Sequence, residues 1–211
     1  FSLYKPLAED DTEKLTALMG YYKVIYRIIA LTVGVIGVAL VPVLGVLIKT
    51  EIDRFHLVLY YLMFLTNSVC SYLLVYKSSI IQADQKRYLI SKYTMAFKLL
   101  TTAVQIFVLL VLRSFTVYLT IQITMTVANN LYVSRQADKL YPFLKNKAAL
   151  PKEEKKAIFR DVRHMFSYKA GGQLLNGTDN LYISSLISTA TVGRYDNYTM
   201  IQTMVVTAFT N

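Results

Sequence analysis

An all-α, polytopic transmembrane bundle is the fold class this sequence predicts, and three observations predict it. Only 17 % of the 211 residues are charged and 55 % are apolar, whereas a soluble domain carries nearer a quarter charged residues. The apolar residues gather in blocks, and a helix of about 20 such residues crosses a ~30 Å hydrocarbon core. The basic residues also alternate by side. If the blocks are crossings, the connections 1–27, 77–98 and 135–169 hold nineteen of the 23 Lys and Arg residues, and the intervening connections hold four. That asymmetry places the first, third and fifth connections in the cytoplasm. It also argues against reading the net charge of +10 as a nucleic-acid footprint, because a nucleic-acid binder has no reason to alternate its cations with every crossing.

The elements follow in order. Residues 8–26 carry Leu15, Leu18, Met19, Tyr22 and Tyr26 at helical spacing, which predicts an amphipathic helix at the inner interface running into the first span. That span, 28–48, has no charge and holds Gly34, Gly37, Pro42 and Gly45. Small residues permit close helix contact, and Pro42 predicts a kink. The second span, about 56–76, carries Asn67, Ser68 and Ser71. The third, about 93–112, carries Gln105, and only Arg113 separates it from the fourth, 114–134. On the fourth, Gln122, Thr126 and Asn129 fall within about 60° of one another at ~100° per residue. A polar row along one face of a membrane helix predicts a wet cavity.

The longest polar connection, 135–169, contains a helix start at Leu150-Pro151-Lys152-Glu153-Glu154. Beyond it, Ile158, Val162, Met165 and Phe166 form an apolar stripe among Lys155, Lys156, Arg160 and Arg163. A basic amphipathic helix of this kind is expected to lie on an anionic inner leaflet; a plain cytoplasmic linker is the alternative.

The fifth span, 170–192, places Lys169, Gln173, Asn176, Asn180 and Ser184 in one stripe, with Asp179 on its shoulder. A carboxylate at mid-membrane costs ~3 kcal/mol on insertion scales. Three readings stand for Asp179: an H+ or Na+ coupling site, a lining residue for a hydrophilic substrate, or a structural partner. Gly171, Gly172 and Gly177 allow the helix to bend there. Residues 193–197 are read as an outward connection and 198–209 as the beginning of a further crossing, so the chain is expected to be a piece of a longer protein. Cys70 is the sole cysteine, and His56 and His164 stand alone; no metal, cofactor or catalytic group is expected.

Three stretches carry a family resemblance: LYKPLAEDDTEKLTALMGYYKVIYRII near the start, NNLYVSRQADKLYPFL in the middle, and HMFSYKAGGQLLNGTDNLYISSLISTATVGRYDNY. In this order they resemble the Wzx-type polysaccharide flippases of the multidrug/oligosaccharidyl-lipid/polysaccharide exporter superfamily. The resemblance implies a MATE-like pair of lobes around a cavity with alternating access in a bacterial cytoplasmic membrane. It implies that residues 1–134 belong to the first lobe, 135–169 to the inter-lobe connection and 170–211 to the start of the second. About five full spans and part of a sixth are expected. The implied substrate is an oligosaccharide on undecaprenyl diphosphate, with a polysaccharide polymerase as a further partner. The family places basic residues in its cavity to meet the diphosphate. No Lys or Arg is expected at mid-span, so that anchor is assigned to parts outside this chain.

A cavity lined by amides and hydroxyls replaces water hydrogen bonds for a passing glycan and needs no covalent chemistry. The competing functions are a cation-coupled multidrug antiporter of the same superfamily, a membrane glycan polymerase or transferase, and a non-catalytic scaffold. The short outward connections and the lack of an acid/base cluster weigh against an enzyme. The polar stripes weigh against a scaffold.

Overall fold

The computed structural model describes residues 2–48, 50–146 and 148–210, and every regular element in it is a helix. A short α1 (Tyr4–Ala8) turns at Asp10, whose φ of 53° is left-handed. Asp11 then accepts the Lys14 amide at 2.9 Å and so caps the 29-residue α2 (Thr12–Leu40). Pro42 ends the α-helical ladder in a 3-10 turn, Val41–Val43, before α3 (Leu44–Leu47). Asp53 caps α4 (Arg54–Val75) by accepting from the Phe55 and His56 amides. The short α5 (Ser78–Ala83) leads through a left-handed Gln85 to α6 (Tyr88–Val111). A third left-handed residue, Arg113, places the Ser114 hydroxyl to accept the Val117 amide and begin α7 (Phe115–Leu140). After a 3-10 turn at Pro142–Lys145 come α8 (Lys152–Leu186) and α9 (Thr189–Thr210).

Three of these helices are long and apolar enough to cross a membrane: α2 with its 3-10 extension (Thr12–Val43), α4 and α6. Large apolar side chains on them face outward, among them Leu31, Val35, Phe107 and Leu110. An apolar belt of that extent is costly against water and is what a bilayer covers.

Several boundaries differ from those expected, each for a physical reason. The first part of the amphipathic stripe of α2 is covered by protein. Leu15, Leu18 and Met19 are at most 3 % exposed, because the chain after α7 folds over them: Thr16 donates to the Phe143 carbonyl at 3.2 Å, Tyr21 to the Lys155 carbonyl at 3.1 Å, and Lys14 pairs with Glu154 at 3.2 Å. Likewise α7 continues past Ser134 to Leu140, with Ala137 fully buried. The stretch read as a linker followed by a span is one helix, α8, whose backbone is helical through Gly171, Gly172 and Gly177. Nor do residues 193–197 form a connection. The turn falls at Ile187 and Ser188, where the Ser188 hydroxyl accepts the Thr191 amide at 3.3 Å and starts α9.

The chain divides into two compact units. The first, Phe1–Val38 with Leu59–Phe159, holds the described clefts. Within it α2 and α4 run antiparallel: the Tyr61 hydroxyl donates to the Gly37 carbonyl at 2.8 Å, and Gly34 faces Val69. Helices α6 and α7 are also antiparallel, since Gln105 meets Gln122 while Tyr93 and Phe97 meet Tyr132. Helices α4 and α7 run parallel, in contact from Tyr60–Phe115 through Cys70–Asn130 to Lys77–Asp138. The second unit, Ala39–Val58 with Arg160–Asn211, is built on the α8–α9 hairpin.

Candidate functional site: a polar cleft between α6 and α7

Between α6 and α7 lies a cleft of about 290 Å³. Gln122, Thr126 and Asn129, the row expected on one face of the fourth span, line it together with Thr94, Lys98, Thr101, Thr102 and Gln105 from α6. Gln105, 7 % exposed, donates to the Gln122 side-chain oxygen at 2.8 Å and lies 3.4 Å from the Tyr118 carbonyl. That amide pair ties the helices where their faces meet; in membranes such a bond typically contributes about 0.6 kcal/mol.

The chemistry of the walls is specific. The Thr101 and Thr102 hydroxyls donate back to the Phe97 and Lys98 carbonyls of their own helix at 2.6 and 3.0 Å, which leaves their lone pairs as acceptors. The Asn129 side-chain oxygen is buried and accepts no hydrogen bond. Lys98 forms no ion pair among the described residues. Acceptors therefore surround one cation. Sugar hydroxyls donate to such acceptors, and an anion pairs with such a cation.

Lys98 corrects the expectation that no basic residue stands at mid-span. It stands near the middle of α6 and lines the cleft. The block at 99–112 is too short to cross alone, so the third span is drawn back to about residue 93 and already takes in Lys98, which is nonetheless counted with the connection 77–98. Thr94, Lys98 and Asn129 also line a neighbouring cleft of about 380 Å³, with Ser78, Gln82, Arg87 and Asn130 among its other walls. The polar surface thus continues toward the end of the unit where Lys77 and Asp138 pair at 2.6 Å. Asn130, which sequence reasoning passed over, donates to the Cys70 and Ser71 carbonyls at 3.3 and 3.4 Å and fixes α7 against α4. Asn67 holds a buried, unpartnered side-chain oxygen on α4.

In the second unit Asp179-Asn180 and Tyr195-Asp196, both in the third stretch of the resemblance, meet across the hairpin. Tyr195 donates to Asp179 at 3.3 Å, and Asn180 donates to Asp196 at 2.9 Å. Asp179 is exposed and lies seven residues before the end of α8, about 10 Å of helix. It is therefore nearer a helix end than the mid-span position expected of it. Gln173 and Asn176, predicted to share its stripe, lie outside the residues whose side chains are described, as do Lys169, Met165 and Phe166. Of the basic residues on α8, Lys156, Arg160 and Arg163 are exposed and Lys155 is half-buried; Ile158, on the apolar stripe, is buried.

Outside the helices, charges pair locally. Asp84 accepts from Tyr141 at 2.6 Å and pairs with Lys86 at 2.7 Å. Partial burial pushes the Asp84 carboxyl up, but the bonds from Lys86 and Tyr141 outweigh it and hold it below the usual carboxylate range. Burial, and then the Asp84 charge, push the Tyr141 phenol up. Among the described residues no group of three or more His, Cys, Asp or Glu side chains gathers as a metal site would.

These features define an all-helical chain with three helices long and apolar enough to cross a membrane and a polar, cation-bearing cleft between one of them, α6, and its neighbour α7. No family model, curated protein or solved structure matches it.

Proposed function

We propose that the chain is part of a multi-pass transporter of the bacterial cytoplasmic membrane. Its cargo is a lipid-linked oligosaccharide on undecaprenyl diphosphate, flipped to the outer leaflet by alternating access in a two-lobed, MATE-like frame. The observation that carries this reading is the α6–α7 cleft, in which acceptors for sugar hydroxyls surround an unpaired Lys98. The glycan cannot shed its hydration in hydrocarbon without replacement hydrogen bonds, whereas its lipid tail needs none. Helix α7 serves as a fourth crossing: it falls short of span composition because of its polar face, yet it pairs along its length with α4 and α6, which do not. An aromatic group, Tyr60, Phe64, Phe115 and Tyr118, gathers at the opposite end from Lys77 and Asp138. It suits a closed outer end above a cleft that reaches inward.

The test is export of surface polysaccharide by cells whose only copy of the intact protein carries Lys98→Met. Loss of a charge-assisted contact of 1.5–3 kcal/mol lowers export about tenfold or more, at unchanged membrane abundance, and Lys98→Arg restores most of it. Full export by Lys98→Met would remove the cleft from the mechanism.

A cation-coupled drug antiporter draws support from Asp179, an exposed carboxylate whose described partner is a phenol. Lys98 in the cleft disfavours a cationic cargo. Asp179→Asn discriminates between them: changed drug susceptibility with normal surface polysaccharide favours the antiporter.

A further inference from the structure

A second groove in the same unit has the opposite character. Helices α2 and α4 meet where Tyr61 and Leu65 contact Gly37 and again where Gly34 faces Val69. Between them opens a groove of about 730 Å³ lined by Leu31, Val35, Leu62, Leu65, Val69 and Leu73. One cation, Arg27, lines it. Arg27 immediately precedes the uncharged stretch that begins at Ile28, so it stands at headgroup depth, on the side that the positive-inside pattern assigns to the cytoplasm. Lys23, one turn earlier, shares its face and is exposed. Among the described residues neither forms an ion pair, and Asp138, which acts on Tyr76 alongside Arg27, is already held by Lys77. Two like charges at this spacing repel; an anion between them and the groove relieves that.

We infer that the α2–α4 groove is a docking site for one bilayer phospholipid with a net negative phosphodiester headgroup, its phosphate on Arg27 and Lys23 and an acyl chain in the groove. A guanidinium takes phosphate oxygens through paired N–H donors. The apolar wall excludes a free polar anion, and the two flanking cations select against a zwitterionic headgroup. The inference rests on α2 and α4 lying in the membrane and not on the transported cargo, so its failure leaves the Lys98 reading untouched.

The experiment reconstitutes the full chain in phosphatidylcholine nanodiscs containing a little phosphatidylglycerol with a photoactivatable diazirine in its acyl chain. Labelled peptides are then mapped by mass spectrometry. Label is expected on the α4 segment holding Leu62, Leu65 and Cys70, with unlabelled phosphatidylglycerol competing and inorganic phosphate not. Arg27→Gln lowers groove labelling about fivefold, the loss of one lipid-facing cation. Thr66→Phe, which fills the groove and keeps Arg27, lowers it as well. Label on the exposed face of α6, around Leu110, stays constant in both variants and reports that they are folded and embedded. Equal groove labelling by a phosphatidylcholine probe, an unchanged yield in Arg27→Gln, or displacement by inorganic phosphate would each overturn the inference.

Discussion

Two antiparallel helix pairs in one unit, α6–α7 and α2–α4, make a natural comparison. Each joins two long helices, and each is flanked by a cleft. They differ in what holds them together. The α6–α7 pair is joined through the Gln105–Gln122 amide bond, and its cleft carries hydroxyls, amides and Lys98. The α2–α4 pair is joined through a glycine, and its cleft is almost entirely apolar. The contact residue sets the character of the space beside it. An amide in lipid demands a partner and tolerates water near it. A glycine removes side-chain bulk, lets backbones approach, and leaves flanking Leu and Val to line whatever opens.

The comparison breaks most sharply at Gly37. A Cβ built there already collides with the Leu65 side chain, so Gly37→Leu overpacks the crossing by about 3 kcal/mol. A lowered thermal midpoint in detergent, recovered in part by Leu65→Ala, is the expected result; an unchanged midpoint would mean that the crossing is not close-packed. The polar pair breaks more gently. Gln105→Leu leaves the Gln122 amide without its partner at a cost of about 1–2 kcal/mol, while Gln105→Leu with Gln122→Leu returns close to the starting stability. The double variant sharpens the contrast, because it dries the cleft without unfolding it. In a Cys70→Ser background, a cysteine replacing Thr126 should react with a water-soluble maleimide in the otherwise unchanged cleft and at a clearly slower rate in the double variant.

Smaller still is the pH effect at Asp84. Its folded carboxyl titrates below the unfolded value near 3.8. Its stabilising contribution is therefore present above about pH 4 and is lost as pH falls through the folded pKa. Tyr141 has the opposite sign: with its folded phenol raised above 10, its contribution holds below about pH 10 and fades as pH rises through the folded pKa. Tyr141→Phe should flatten both ends of the stability–pH curve measured by thermal denaturation, by about 1 kcal/mol, the net contribution of one side-chain hydrogen bond. The smallest change is Gly34→Ala, whose added carbon meets Val69 at an ordinary 3.6 Å. It should shift stability by no more than about 0.5 kcal/mol, in contrast to Gly37 one turn away.

Much of the cleft was legible beforehand. Helical arithmetic alone grouped Gln122, Thr126 and Asn129, and all three line one wall. Lys98 was counted with the connection 77–98 even though the third span was drawn through it, because a hydropathy block ends where a charge begins, whereas a helix ends where its backbone bonds are capped. Arg113 and Ser114 mark such an end, and Lys98 does not. The same confusion put a connection at residues 193–197, although the cap is at Ser188. Asn130 was invisible for a different reason: consecutive residues on a helix point about 100° apart, and nothing local says which of Asn129 and Asn130 faces α4.

By itself the sequence determined that the chain is helical, that α2, α4 and α6 are apolar enough for a bilayer, and that α7 has a polar face. These properties follow from composition and a 3.6-residue period, which act along one element at a time. Only the tertiary structure decided that Gln105 meets Gln122, that Lys98 stands among acceptors, and that Gly37 rather than Gly34 bears the α2–α4 crossing. Those outcomes depend on which faces of separate helices come together, and that choice is made by packing and hydrogen bonding between residues far apart in the chain.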